Sequence, residues 1–225
     1  MSVKNKILVV SPHMDDETLG VGGAICKHIT EGDEVSVIVV ANRAYNHFYD
    51  QKKIKNEESC CKQALKVLCV SKINFLRLKD EQLDEKLINI IKPLERVVDK
   101  IKPDIVYIPF AGDINQDHRA TYQACMVVFR VINNFSPKKI LCYEVPSSTD
   151  ANQVQNFEKF NPNYFVDINK YINKKVKALK FYKNELKEFP HPRSVEGIEV
   201  YAKKRGMEAG CKYAEAFLLI RYIKK

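Results

Sequence analysis

Within five residues, His13-Met14-Asp15-Asp16-Glu17 collects one imidazole and three carboxylates. The run follows a short apolar segment, Ile7 to Val10, and leads into Thr18-Leu19-Gly20-Val21-Gly22-Gly23-Ala24, which reads as the opening of a helix. Strand-to-helix turns of this kind are where open α/β sheets bind ligands. Imidazole with carboxylate is a borderline-hard donor set that suits zinc and also accepts iron. A second polar stretch, Asp113-Ile114-Asn115-Gln116-Asp117-His118, follows another apolar run, Ile105 to Pro109. If those two strands are neighbours at the switch point of the sheet, His13, Asp16 and His118 reach one divalent cation. Two nitrogens and one carboxylate leave a coordination position open for water, as in catalytic rather than structural zinc sites. Zinc lowers the pKa of such a water to about 7 and polarises a carbonyl. Asp15, a carboxylate beside the metal, is placed to take the proton. Glu17 suits the helix N-terminus or a bond to a ligand better than ligation itself. Asp117 is read as orienting a neighbour, and Asp113 is as fit for bonding loop amides as for a role at the site. The residues alone point to metal-assisted hydrolysis of a carbonyl compound.

The elements that must position these groups follow from the apolar pattern. Strands are predicted over Lys6 to Val10, Val35 to Val40, Ile73 to Leu78, Ile105 to Pro109 and Lys139 to Val145, with a short one at Phe165 to Asp167. Helical spacing covers Leu19 to Thr30, Asn56 to Val67, Glu85 to Ile101, Arg119 to Val131 and Asn169 to Lys187. Ala214 to Tyr222 fits a closing strand or a helix, and Pro146 to Asn156 a long loop over the site. Strand and helix alternation of this kind predicts βαβ units and a mostly parallel sheet: a Rossmann-like, three-layer α/β/α fold. The Gly20, Gly22 and Gly23 cluster reads as close helix-to-sheet packing. The G-x-G-x-x-G order of a phosphate cradle is absent.

A length of 225 residues predicts one domain over residues 1–225. No segment approaches the roughly 20 apolar residues of a membrane span. The N-terminal stretch lacks a signal-peptide layout, so the cytoplasm is the expected compartment. The seven cysteines form no C-x-x-C pair and read as small buried hydrophobes and surface thiols. The formal net charge of +9 raises the question of a polyanionic partner. The lysines are spread along the chain without basic-aromatic interleaving, which argues against nucleic acid and for solvated helix faces. His28 and His47 read as packing or surface residues.

The ordered pair of segments resembles the PIG-L/LmbE family of zinc-dependent de-N-acetylases. Its first motif, P-H-x-D-D-E, is matched by Pro12-His13-Met14-Asp15-Asp16-Glu17, with methionine where proline is common. Its second, H-x-D-H, is matched at Asp117-His118. Tyr143-Glu144-Val145-Pro146-Ser147-Ser148-Thr149, His191-Pro192-Arg193-Ser194 and Tyr213-Ala214-Glu215-Ala216-Phe217 extend the likeness along nearly the whole chain. The resemblance implies His13, Asp16 and His118 as zinc ligands, Asp15 as general base, and an LmbE-like fold. It also implies a small N-acetylated amino sugar of the GlcNAc type as substrate, and a homo-oligomer. Asn115 stands where many members carry the first histidine of H-x-D-H. Asparagine donates a hydrogen bond to an oxyanion but supplies no proton near neutrality. His191, in a proline-flanked loop, is the candidate replacement acid, with Asp15 itself, once protonated, as the alternative. Arg119 and Arg193 are candidates for an anionic group of the substrate, and Glu144 and Ser147 for the sugar pocket.

Three other readings remain open on the sequence. One is an amidase acting on another sugar-linked amide. The second is a nucleotide- or polyanion-binding α/β module, suggested by the charge and the glycines. The third is a non-catalytic protein that holds metal or sugar, suggested by Asn115.

Overall fold

The computed structural model describes residues 4–44, 47–131, 135–153 and 158–224. In chain order the elements are β1 (Lys6–Ser11), α1 (Asp16–Glu31), β2 (Glu34–Asn42), α2 (Gln51–Val67), β3 (Lys72–Lys79), α3 (Ile88–Ile101), β4 (Ile105–Pro109), α4 (Gln116–Val128), β5 (Lys139–Tyr143), β6 (Tyr164–Asp167), α5 (Ile172–Leu179), α6 (Val195–Ala209) and β7 (Ala214–Tyr222). All seven strands form one sheet in the order β3-β2-β1-β4-β5-β7-β6. β3, β2, β1, β4 and β5 run parallel, and β7 runs antiparallel to both β5 and β6. The chain leaves β1 toward β2 on one side and returns to β4 on the other. The switch point therefore falls between β1 and β4, and it brings the ends of those two strands together as the motifs require.

Alternation along the buried strands explains the two helical layers. Ile7, Val9, Val37, Val39, Tyr107, Leu141 and Tyr143 point to one face, packed with apolar residues of α1, α2, α5 and α6. Leu8, Val10, Ile38, Val40, Val106, Ile108 and Cys142 point to the other, against α3 and α4. Both faces of the central strands are covered, so they read as continuous apolar runs. The glycines of α1 let that helix lie close to its neighbours. A Cβ on Gly20 would run into the Tyr143 ring, and one on Gly23 into the Ile168 side chain.

A buried ion pair ties α1 to the far end of the chain. The Glu215 carboxylate of β7 accepts from Gly23 N at 2.8 Å and Ala24 N at 2.7 Å. Lys175 Nζ donates to Glu215 Oε1 at 2.6 Å and to Leu19 O at 2.7 Å. Buried charge is costly unless paired and hydrogen-bonded, and here both partners are.

The structure differs from the sequence expectations mainly in the last third. Helix was predicted over Asn169 to Lys187, but α5 ends at Leu179 and the chain turns through Phe181 to Leu186. α6 was not predicted; its apolar pattern is weak, with Gly197 and Gly206 buried inside it. Ala214 to Tyr222 is a strand, because β7 pairs along the edge of β5. The loop expected over Pro146 to Asn156 begins with turns through residue 151, and residues 154–156 lie outside the described residues. α1 begins at Asp16, so the acidic motif lies in its first turn rather than ahead of it. Among the described residues, no helix is long and apolar enough to cross a membrane.

Candidate active site

Asp15, at the N-cap of α1, has φ +131°, a conformation that strains any residue with a Cβ. Glu17 holds the turn in place. Its carboxylate accepts from Asp15 N at 3.1 Å, Thr18 Oγ1 at 2.6 Å and Tyr182 Oη at 2.6 Å. Ser11 Oγ donates to His13 O at 2.6 Å and accepts from Glu17 N at 3.1 Å. Burial raises the Glu17 carboxyl above its ordinary range, against the pull of these donors.

The second segment is organised by α4. Asn115 caps that helix, its Oδ1 accepting from Asp117 N at 2.8 Å. An amide that caps through oxygen keeps its NH2 for another acceptor. Asp117 and His118, in the first turn of α4, are both buried.

Three ligand atoms converge. Asp16 Oδ2 lies 3.3 Å from His13 Nδ1 and 3.2 Å from His118 Nε2. These atoms all fall within 4.8 Å of one another. Each histidine is held from behind by a carboxylate. His13 Nε2 is 3.0 Å from Asp117 Oδ2, and His118 Nδ1 is 3.1 Å from Asp113 Oδ2. Carboxylate–imidazole pairs of this kind fix the tautomer and aim the other nitrogen at a metal. Asp117 is fixed by the amides of Glu81 and Leu83, and Asp113 by Ser148 Oγ, Thr149 Oγ1 and Asn115 N.

The charge pattern suits a cation. Burial lowers the His13 pKa, but the Asp117 and Asp16 carboxylates outweigh it and bring the ring up to about 9. For His118, burial is likewise outweighed by Asp16 and Asp113, and the pKa stands at about 10. Burial would raise Asp16, yet the two imidazoles hold it well below the usual carboxylate range. Asp15 is raised by burial, with Arg193 opposing. Its Oδ2 accepts from Arg193 Nη1 at 3.1 Å, while its buried Oδ1 has no partner among the described residues. The donor set, its carboxylate backing and this orphaned oxygen all fit a divalent ion held by His13, Asp16 and His118.

These groups open onto a cavity of about 610 Å³ lined by His13, Asp16, Asn115, His118, Arg43 and Arg193, among others. That volume is in the range of small-molecule sites. A void near Glu144 and Lys175 measures only about 30 Å³, room for a water.

Four residues singled out from the sequence lie elsewhere or are already engaged. His191 does not line the cavity; its Nδ1 accepts from Arg193 N at 3.0 Å in the turn before α6. Glu144 faces away and forms a two-pronged pair with Arg205, 2.6 Å at each oxygen. Arg119 Nη1 donates to the carbonyls of Asp113 and Ile114, bracing the loop that carries Asn115. Ser147 Oγ accepts from Arg193 Nε at 2.8 Å and thereby steadies that guanidinium instead of lining the pocket. Arg193 does reach the cavity.

Sequence reasoning missed Arg43, Glu185 and Tyr182, and weighed Asp113 without settling it. Arg43 and Arg193 both pair with Glu185. Only the position of Asp113, just after β4 and five residues before His118, hinted at its place.

Comparison with known proteins bears on the fold and the family. The family profile for PIG-L, described as GlcNAc-PI de-N-acetylase, matches residues 8–129. Diacetylchitobiose deacetylase of Thermococcus kodakarensis is 25% identical over 97% of this chain and 83% of its own length. The uncharacterized deacetylase YaiS of Escherichia coli K12 is 32% identical over 71% of this chain and 84% of its own. N,N'-diacetylchitobiose deacetylase of Pyrococcus horikoshii, solved with an inhibitor, superposes with a TM-score of 0.78. It is 22% identical, with 96% of this chain and 84% of that one covered, a likeness that speaks for the fold. The chain belongs to the PIG-L family of GlcNAc-PI de-N-acetylases.

Proposed function

We propose that this protein is a metal-dependent hydrolase that removes the acetyl group from a GlcNAc-type amino sugar, with zinc as the metal and ferrous iron as the other ion the ligands accept. The observation that carries the reading is the convergence of His13, Asp16 and His118 beside a buried Asp15 whose Oδ1 has no partner. The family match and the deacetylase names of the relatives support the substrate class. When bound, the ion polarises an amide carbonyl and lowers the pKa of a coordinated water.

The chain's own residues do the rest. Asp15 accepts the proton of the attacking water, and burial, by raising its pKa, makes it a better base. Arg193 donates to that carboxylate, which aims it and opposes the rise of its pKa. The Asn115 amide is available to donate to the oxyanion of the tetrahedral intermediate. His191 Nδ1 is taken by Arg193 N, whereas Asp15 carries a buried oxygen without a partner among the described residues, so we assign return of the proton to the departing amine to Asp15 itself. Acetate and a free amino sugar are the products.

The test is acetate release from N-acetylglucosamine conjugates, with bound metal measured in the same samples. Asp15→Asn is expected to keep the metal and lose turnover, and His118→Ala to lose both. Purified protein that binds a divalent ion but yields no acetate from any conjugate would overturn the enzymatic reading.

A further inference from the structure

Two guanidiniums reach the cavity, and one carboxylate holds both. Glu185 Oε1 accepts from Arg43 Nη1, and Glu185 Oε2 accepts from Arg193 Nη1 at 3.2 Å. Arg193 Nη1 also donates to Asp15 Oδ2, and its Nε to Ser147 Oγ. The two arginines come from just after β2 and from the turn before α6, and Glu185 joins them from the turn after α5. That turn is anchored. Glu185 N donates to Tyr182 O at 2.9 Å, and the Tyr182 phenol donates to Glu17. The Glu185 side chain is only 20% exposed, so salt screens these pairs less than it screens surface pairs.

The pairing cancels charge but leaves donors. Among the described residues, Arg43 Nε and Nη2 and Arg193 Nη2 make no hydrogen bond. A guanidinium in that state still donates to a hydroxyl oxygen, which needs a donor and no net charge. A phosphate or carboxylate needs both. The other walls deepen the contrast. Asp80, Glu81 and Asp117 line the same cavity, and Asp15 and Asp16 match the two charges of a divalent ion held there. His47, also on the wall, is taken by Glu81 at 2.8 Å. Among the described lining residues, every basic side chain has a carboxylate beside it, so an incoming anion meets a field of its own sign.

Resting on the de-N-acetylase reading, we propose that Glu185 is a specificity-determining residue that bars sugars carrying a phosphate or carboxylate group. It cancels the charge of Arg43 and Arg193 together. Arg193, whose chemistry suits an anionic substituent, is thereby committed to Asp15 and Glu185. Discrimination of this kind works through a repulsive element set against the wrong partner.

The test compares N-acetylglucosamine with its 1-phosphate and its 6-phosphate, so that the anion is offered at both ends of the sugar. The readout is kcat/KM for acetate release by the metal-loaded protein at low salt. Wild-type protein should prefer the neutral sugar by at least about tenfold, because bringing like charges together in a site costs affinity on that order or more. Glu185→Gln keeps the shape and removes the charge, and it should shrink that preference about tenfold, with a smaller change at high salt. Glu185→Asp should keep the preference, and adding Arg43→Gln to Glu185→Gln should restore it. The ratio between sugars is what counts, so a common loss through Arg193 and Asp15 cancels, and thermal melting checks that each variant folds. Wild-type protein that favours a phosphorylated sugar, or a preference that Glu185→Gln leaves untouched, would overturn the proposal. If no acetate forms from any of the sugars, the deacetylase reading falls. Calorimetric binding of the same sugars to the same proteins then decides the role of Glu185, and equal binding, or none, overturns it.

Discussion

Two histidine–carboxylate clusters sit at opposite ends of the sheet, and both have spacing that could hold a metal: His13, Asp16 and His118 at one end, His28, Glu31 and Asp33 at the other. In the second, every ring nitrogen is committed. His28 Nδ1 lies 2.7 Å from Asp33 Oδ2, and Nε2 lies 2.9 Å from the Tyr107 hydroxyl. Asp33 Oδ1 is taken by the backbone and side chain of Asn5. The circuit joins α1, the following turn and β4, and it closes on itself. In the first cluster each ring has a carboxylate close behind one nitrogen and turns the other toward a shared point. The lesson is that proximity of ligand types does not make a site. What matters is whether lone pairs are left over once the local hydrogen bonds are counted.

That contrast can be broken by mutation. His118→Ala should abolish metal retention and lower turnover at least about a hundredfold, since Lewis-acid stabilisation is worth several kcal/mol. The matched change His28→Ala should leave metal content and turnover intact. Metal analysis beside the acetate assay reads both. Asp15→Asn should keep the metal and lower kcat by about 10²–10⁴, the usual worth of a general base. Asp113→Ala tests whether the carboxylate behind His118 matters as much as the ligand. Metal affinity, followed by competition with a chelator, should fall about 10- to 100-fold. Smallest in reach, His28→Ala should cost about 1–3 kcal/mol of stability by leaving Asp33 and Tyr107 short of a partner, read from denaturant midpoints. A variant of the second cluster that lost metal or activity would erase the distinction.

Much of the parallel core was legible. Val35 to Val40 and Ile105 to Pro109 have so little polar content that only strands buried on both faces accommodate them. The placement of β4 beside β1 followed from the crossover rule. His13, Asp16 and His118 came together as their motifs predicted. The groups that brace or extend the site were harder to see. Tyr182 and Glu185 fall in a stretch whose spacing read as helix but which turns after Leu179, and their partners lie more than 140 positions away or across a short loop. α6 was missed because its apolar face is thin. His191 looked promising for its chemistry, and its neighbour Arg193 holds the position instead. The turn that brings Arg193 to Asp15 aims the His191 ring back at its own backbone.

The tether from Glu215 and Lys175 to the middle of α1 bears on how the gene could be divided. Every group assigned to metal binding or proton transfer lies before position 119, and the family profile stops at 129. A fragment ending there would carry the full set of chemical side chains, yet it would lack the carboxylate that accepts from Gly23 and Ala24, the phenol on Glu17 and the guanidinium on Asp15. Such a half should be inert alone and regain activity only when the remaining piece is supplied in trans, so the chemistry and the scaffold that aims it are encoded in separable stretches.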